Sequence, residues 1–271
     1  MEIFDLTGKI AVVTGGNGGI GLGMARGLAR AGANIAVVAR NEEKSAQAVQ
    51  SLQDMARIAP AIPLHSRHPW RSDVQARAFQ ADVTDADAVS NMVDAVTQAF
   101  GGIHILINNA GINIRKRPED LNPDEWQQVL NTNLTSAYLC SRACYPVFKR
   151  AGGGKILNNG SMLSIFGTPW GPAYAASKGG MVQLTKSLAT AWAADDIQVN
   201  CFLPGWVDTE LTRNARREVD DLHDRVLART PAGRWGEVED FEGLAIFLAS
   251  SASDFITGAV IPVDGGFSVS G

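Results

Sequence analysis

Three residues open the chemical reading of this 271-residue chain: Ser161, Tyr174 and Lys178. Tyr174 and Lys178 stand four apart in a stretch patterned as a helix, so both side chains project from one face. A free tyrosine titrates near ~10 and is a poor base at neutral pH, but an ammonium group beside it favours the phenolate. Such a phenolate takes a proton from a hydroxyl, and the phenol returns one to a carbonyl oxygen. Ser161, thirteen residues ahead of Tyr174 and just past an apolar run, is placed to hydrogen-bond the same oxygen and steady its developing charge. Taken singly, Tyr174 reads as a core tyrosine and Lys178 as a surface lysine; their shared register is what points to chemistry.

Proton transfer of this kind needs a partner that carries the electron pair, and the N-terminal segment offers it a site. Thr14-Gly15-Gly16-Asn17-Gly18-Gly19-Ile20-Gly21 follows the first apolar strand directly and opens a helix. Glycines suit a tight turn in which a pyrophosphate approaches backbone N–H groups at a helix N-terminus. The oxidised nicotinamide of such a cofactor would add a second positive charge favouring the Tyr174 phenolate. At the end of the second strand, where an acid would bind the ribose hydroxyls of NAD, the chain has Ala39, Arg40 and Asn41. A guanidinium there suits a 2′-phosphate, so NADP(H) is the expected cofactor and NAD(H) the alternative, with Glu42 and Glu43 diluting the positive field. Asp82 and Val83, just past the third strand, are placed to meet the adenine edge, although Asp82 equally reads as a residue opening a helix.

Along the chain, apolar β-branched runs at 10–14, 34–39, 76–81, 103–107, 155–159, 198–203 and 259–263 alternate with helical patterns at 20–31, 42–57, 85–100, 124–150, 173–194 and 238–250. The alternation predicts one α/β domain over 1–271: a Rossmann fold with a doubly wound, parallel, seven-stranded sheet and helices on both faces. Two stretches break the rhythm. Residues 57–76, rich in Pro, His and Arg, read as an inserted surface loop, either bland or covering a partner surface or the adenine end of a cofactor. Residues 206–230 are helical in pattern and highly charged, which suits a lid over a substrate. A net charge of −4 argues against nucleic acid as the main partner, and there is neither a long apolar run for a membrane nor a basic segment at the N-terminus for export. Three cysteines and four histidines form no metal-ligand pattern, which leaves packing in a reducing cytoplasm as the reading of Cys140, Cys144 and Cys201.

These motifs together resemble the short-chain dehydrogenases/reductases. The resemblance runs from the glycine turn through Asn108-Asn109-Ala110-Gly111, Asn131-Thr132-Asn133-Leu134, Ser161, Tyr174-Ala-Ala-Ser177-Lys178 and Pro204-Gly205 to Val263-Asp264-Gly265-Gly266. It implies that Lys178 also binds the nicotinamide ribose and that Asn133 holds a water that relays the proton. It further implies that Asn109, Ala110 and Gly111 wall the cofactor, and that Pro204, Gly205, Val207 and Thr209 lie beside the nicotinamide. One departure is Gly160, where many members carry a serine; a glycine there is expected to loosen the turn that presents Ser161. The family commonly forms homotetramers, and Phe255, Phe267 and Val269 suit an interface, although a buried monomer edge would look the same.

For the substrate, Met162, Leu163, Phe166, Trp170, Trp206 and Leu211 suggest an apolar wall, while Arg115, Lys116 and Arg117 put cations where one could clamp a carboxylate. The basic stretch and residues 231–236 are similar to the family's sugar-acid members, the gluconate 5-dehydrogenases and 2-deoxygluconate 3-dehydrogenases. The expected small-molecule substrate is therefore a sugar, polyol or sugar acid; bulky hydrophobic ketones or 3-oxoacyl thioesters are the alternative, and a solvated basic loop would explain the cations equally. A non-catalytic dinucleotide sensor or scaffold would need the glycine turn but not Ser161, Tyr174 and Lys178 in register.

Overall fold

The strand Ile10–Thr14 shows how the sheet is built. Ile10 and Val12 enter one hydrophobic core and Ala11 and Val13 the other, since successive strand residues face opposite sides and both sides are covered. In this computed structural model, which describes residues 2–57 and 74–270, that strand is β1 of seven: β2 (Asn34–Ala39), β3 (Ala76–Gln80), β4 (Ile105–Asn108), β5 (Gly154–Asn159), β6 (Ile197–Pro204) and β7 (Val260–Val263). All pair in parallel in the order β3-β2-β1-β4-β5-β6-β7, the doubly wound Rossmann arrangement expected from the sequence. The central strands are buried throughout, whereas the edges β3 and β7 are partly exposed and β3 carries Arg77 and Gln80.

The helices are α1 (Gly19–Arg30), α2 (Glu42–Arg57), α3 (Ala86–Phe100), α4 (Pro123–Leu130), α5 (Ser136–Ala151), α6 (Pro172–Trp192), α7 (Glu210–Glu218), α8 (Leu222–Arg229) and α9 (Glu242–Ala249). Met24 and Leu28 of α1, Leu52 of α2 and Leu248 of α9 fill one face of the sheet. Val93 of α3, Cys144 and Phe148 of α5 and Leu188 of α6 fill the other. Local signals start these helices where the sequence marks them. Asp85 caps α3 by accepting from the N–H groups of Asp87 (2.8 Å) and Ala88 (3.0 Å). Asn122 and Glu125 form a reciprocal capping box at α4, with Pro123 in the first turn.

Two expected helices are interrupted. The pattern over 124–150 is not one helix: α4 and α5 are joined by a π-turn, Asn131–Thr135, which carries the buried Asn133. The pattern over 238–250 begins with a 3₁₀ turn, Val238–Phe241, before α9. Most of the expected 57–76 insertion lies outside the described residues. Among the described residues, no helix is long and apolar enough to cross a membrane.

Candidate active site

Strand order runs outward in opposite directions from β1 and β4, so the chain diverges at their carboxyl ends and leaves a groove. Gly15 lies at φ +63°, and a Cβ there would come within 3.0 Å of Asn109 Nδ2 and 3.1 Å of Ala110 Cα. Only glycine lets the turn after β1 pack that closely on the segment after β4. Thr14 fixes the same contact from behind: its Oγ1 accepts from the N–H groups of Asn109 (3.0 Å) and Ala110 (3.1 Å) and donates to the Ile107 carbonyl (3.2 Å). Asn109 Nδ2 donates to the carbonyls of Thr14 (3.1 Å) and Gly15 (3.2 Å), and its Oδ1 accepts from Asn159 Nδ2 (2.8 Å).

The resulting groove has a volume of about 370 Å³. Gly15, Asn17, Gly18, Gly19 and Ile20 line one wall, Asn109, Ala110 and Gly111 another, and Asn159, Tyr174 and Lys178 close its inner end. Thr209 and Glu210, at the start of α7, form the outer rim. A dinucleotide fits these residues. The backbone amides at the start of α1 form an anion site, and Asn159 Oδ1, buried without a partner among the described residues, offers an acceptor on the groove wall.

Lys178 is 3% exposed, and its Nζ donates to the Asn159 carbonyl at 2.6 Å. Burial holds its pKa down at about 8. One turn earlier on α6, Tyr174 is half-buried, with the ammonium 5.6 Å from its ring centroid. Desolvation raises the Tyr174 pKa, opposed by a hydrogen bond with Ser161 and by the charge of Arg115. The Lys178 ammonium faces the ring while donating to the Asn159 carbonyl, and Arg115 adds a second positive charge that favours the phenolate. Ser161 starts a capped 3₁₀ turn in which its Oγ accepts from the Leu163 N–H at 3.1 Å. Ser164, which the sequence analysis did not single out, accepts from the Ser161 N–H (3.2 Å) and donates to the Lys178 carbonyl (2.7 Å). That hydroxyl fixes the serine turn against α6.

The turn is not loosened by Gly160. A Cβ there would come within 2.4 Å of Leu203 Cδ2 and 2.9 Å of Cys201 Sγ, while the Gly160 N–H donates to the Phe202 carbonyl at 2.8 Å. Glycine here permits close packing of the end of β5 on β6. Asn133 is fully buried: its Oδ1 accepts from the Ile112 N–H (2.8 Å), and its Nδ2 donates to the Ile112 carbonyl (2.9 Å) and Ser177 Oγ (3.1 Å). It thereby ties the segment after Gly111 to α6 at Ser177, three residues after Tyr174 and next to Lys178.

Beyond Tyr174 and Ser161 lies a second cavity of about 380 Å³. Leu163, Phe166, Trp170 and Trp206 line it with Pro204 and Gly205. Its far side is formed by α7 and α8, whose Ala215, Leu222 and Val226 pack with Trp235 in a small cluster apart from the two main cores. Arg115 reaches this cavity, but its guanidinium is already bonded to Glu218 (2.9 Å) and the Leu211 carbonyl (3.4 Å) of α7. Lys116 pairs with Glu125 (2.6 Å), and Arg117 pairs with Glu119 (2.6 Å) and sits over the exposed Trp170 ring. Arg225 and Arg229 of α8, absent from the sequence-derived site, also line the cavity. Their i, i+4 spacing on a charged amphipathic helix was the available signal.

Several expected cofactor residues stand off the groove lining. Arg40 lies at the end of β2, 72% exposed in its side chain, with a guanidinium nitrogen 3.6 Å from Asp82 Oδ2. Asn41 starts α2, its Oδ1 accepting from the Lys44 N–H at 2.8 Å, and Val83 is buried. Gly21 is packed inside α1 against Asn109. Val207 is buried in the core, bridging to Gly236, while its carbonyl accepts from Thr212 Oγ1. A contact the sequence did not suggest crosses the groove mouth: Lys44 Nζ and Glu210 Oε2 are 2.7 Å apart.

Residues 15–268 match the family described as Enoyl-(Acyl carrier protein) reductase. The chain is 37% identical over 269 residues to a gluconate 5-dehydrogenase of Gluconobacter oxydans, covering 99% of this chain and 98% of that one. It is 38% identical over 268 residues to a 2-dehydro-3-deoxy-D-gluconate 5-dehydrogenase of Bacillus subtilis, covering 98% and 97%. Among solved structures, a gluconate 5-dehydrogenase from Burkholderia cenocepacia in complex with NADP and tartrate superposes with a TM-score of 0.88 at 38% identity, covering 99% of this chain and 98% of the other.

Proposed function

This chain belongs to the short-chain dehydrogenase/reductase family and is an NAD(P)-dependent oxidoreductase; from that premise we propose that it interconverts a secondary hydroxyl and a ketone on a sugar acid, with NADP(H) preferred over NAD(H). The observation that carries the substrate reading is the charge of the second cavity. Arg115, Arg225 and Arg229 line it, and no aspartate or glutamate does among the described residues. A pocket of one sign selects an anion, and the relatives that act on gluconate and deoxygluconate support a carboxylate.

In this reading the dinucleotide supplies the hydride acceptor in oxidation and the donor in reduction. During oxidation Tyr174 Oη takes the hydroxyl proton as the carbon gives up its hydride, and during reduction it returns that proton to the carbonyl oxygen. Ser161 donates to the same oxygen while charge is on it. Lys178 holds the nicotinamide ribose, and Asn133 keeps the segment after Gly111 in place beside it. Arg40, at the β2 end with no acid at Ala39, supports the 2′-phosphate; the NADP bound by the Burkholderia relative supports the same preference.

The test is absorbance at 340 nm with NADPH and NADH crossed against keto-sugar acids, neutral keto-sugars, aryl ketones and 3-oxoacyl thioesters, with Tyr174→Phe beside wild type. Turnover of keto-acids by wild type alone supports the reading. Silence on every keto-acid, with good turnover of aryl ketones, overturns it in favour of the second reading, which the aromatic walls Phe166, Trp206 and Phe267 support. We place the enzyme in the cytoplasm, where three free buried cysteines stay reduced, and as a homotetramer using the exposed Phe255 and Val269.

A further inference from the structure

The three arginines of the substrate cavity are not equivalent. Arg115 is spent on the lid, bonded to Glu218 and to the Leu211 carbonyl. Turning it toward a substrate would give up both of these bonds to α7. Arg225 and Arg229 stand one turn apart on α8, and neither guanidinium has a carboxylate or carbonyl partner among the described residues. Arg229 differs from Arg225 in being held: its guanidinium carbon lies 4.2 Å from the Phe267 ring centroid and 5.0 Å from that of Phe166. Those two rings meet edge to face with centroids 6.3 Å apart. A guanidinium lying on aromatic faces is fixed in place while its in-plane N–H donors stay available. Phe166 and Phe267 themselves line the cavity, on the wall continuous with Ser161, Met162 and Leu163.

We propose that Arg229 is the residue that binds the substrate carboxylate, as a bidentate fork preorganised by Phe166 and Phe267, and so makes this enzyme prefer an acid over the matching neutral sugar. The assignment rests on the sugar-acid reading above and deepens it. The carboxylate would lie at the α8 end of the cavity and the reacting carbon beside Tyr174 and Ser161, so the enzyme reads substrates by the reach between an acid terminus and a distant hydroxyl. Because Phe166 and Phe267 also lean on the guanidinium, a purely structural role must be separated from a binding one, and charge selectivity does so.

The experiment compares kcat/KM for an aldonate with that for its primary amide, which keeps shape and hydroxyls but loses the charge, in wild type, Arg229→Met and Arg229→Lys. Wild type is expected to favour the acid. Arg229→Met should lower kcat/KM for the acid on the order of 100-fold, mostly through KM, with the amide changed by less than about threefold. Arg229→Lys should recover part of the acid preference, since a point charge replaces the fork. Equal losses on acid and amide in Arg229→Met would overturn the assignment and leave Arg229 as a packing residue. An acid preference that survives in Arg229→Met, or that disappears in Arg225→Met instead, would also overturn it while leaving the sugar-acid reading intact. A wild type that turns over the amide as well as the acid would remove the sugar-acid reading itself.

Discussion

Lys178 Nζ is hydrogen-bonded to the Asn159 carbonyl oxygen at 2.6 Å inside the protein, and burial holds its pKa at about 8. The unfolded chain binds this proton up to about 10.5, so between the two values the folded state binds fewer protons and stability rises with pH. Lys178→Met lacks that linkage. In the cofactor-free protein, thermal midpoints should show wild type gaining on Lys178→Met as pH goes from 7 to 10, while the variant loses about 100-fold or more in turnover at each pH. A stability gap that does not change with pH would mean that the ammonium is not desolvated.

Arg115 lowers the Tyr174 pKa against the upward push of burial. Alcohol oxidation needs the phenolate, so its rate climbs with pH through the tyrosine's titration. Removing the cation in Arg115→Gln should move that limb of the kcat profile to higher pH. A profile that falls in height without shifting would show that Arg115 acts only through its tie to Glu218.

Lys44, half-buried, and Glu210, exposed, meet at the mouth of the cofactor groove. An exposed pair contributes about 0–1 kcal/mol to stability, so Glu210→Gln should scarcely move the thermal midpoint. The substitution removes a carboxylate from the rim of the groove proposed for the dinucleotide and frees Lys44 for an anion there. The Kd for NADP should therefore fall by about three- to tenfold at low salt, and the gain should shrink at high ionic strength. Unchanged affinity in a fluorescence titration would show that the phosphates lie away from both side chains.

Gly160→Ala puts a Cβ into Leu203 and Cys201. Overpacking of this kind costs about 1–3 kcal/mol, at roughly 2–4 °C of midpoint per kcal/mol for a chain of this size. Leu203→Ala in the same chain should restore part of the loss, and a thermal shift series on the single and double variants reads it directly.

Arg40→Ala should lower kcat/KM with NADPH by about tenfold or more and leave NADH within about threefold. Equal losses with both cofactors would assign Arg40 to its contact with Asp82 rather than to a 2′-phosphate.

The positions that repeat a local rule were legible without a structure. β1 through β7 follow from apolar runs separated by helical patterns, and the Tyr174–Lys178 register follows from helical spacing alone. The π-turn at Asn131–Thr135 was not, because a widened turn keeps the same hydrophobic pattern as the helix around it. The role of Gly160 was misjudged for a related reason: a glycine's effect on its own turn can be read locally, but what its missing Cβ leaves room for cannot.

The sequence by itself determined the fold, the glycine turn and the shared helical register of Tyr174 and Lys178, since each depends on short-range spacing and on backbone geometry that residue type dictates. Only the tertiary structure decided the partners of the charges. Arg115 is tied to Glu218 across 103 positions, Lys44 to Glu210 across 166, and Arg229 is seated on Phe166 and Phe267, which come from distant parts of the chain. A charge's availability depends on what stands within a few ångströms of it. In a doubly wound fold those neighbours come from distant segments, which the sheet gathers at one end.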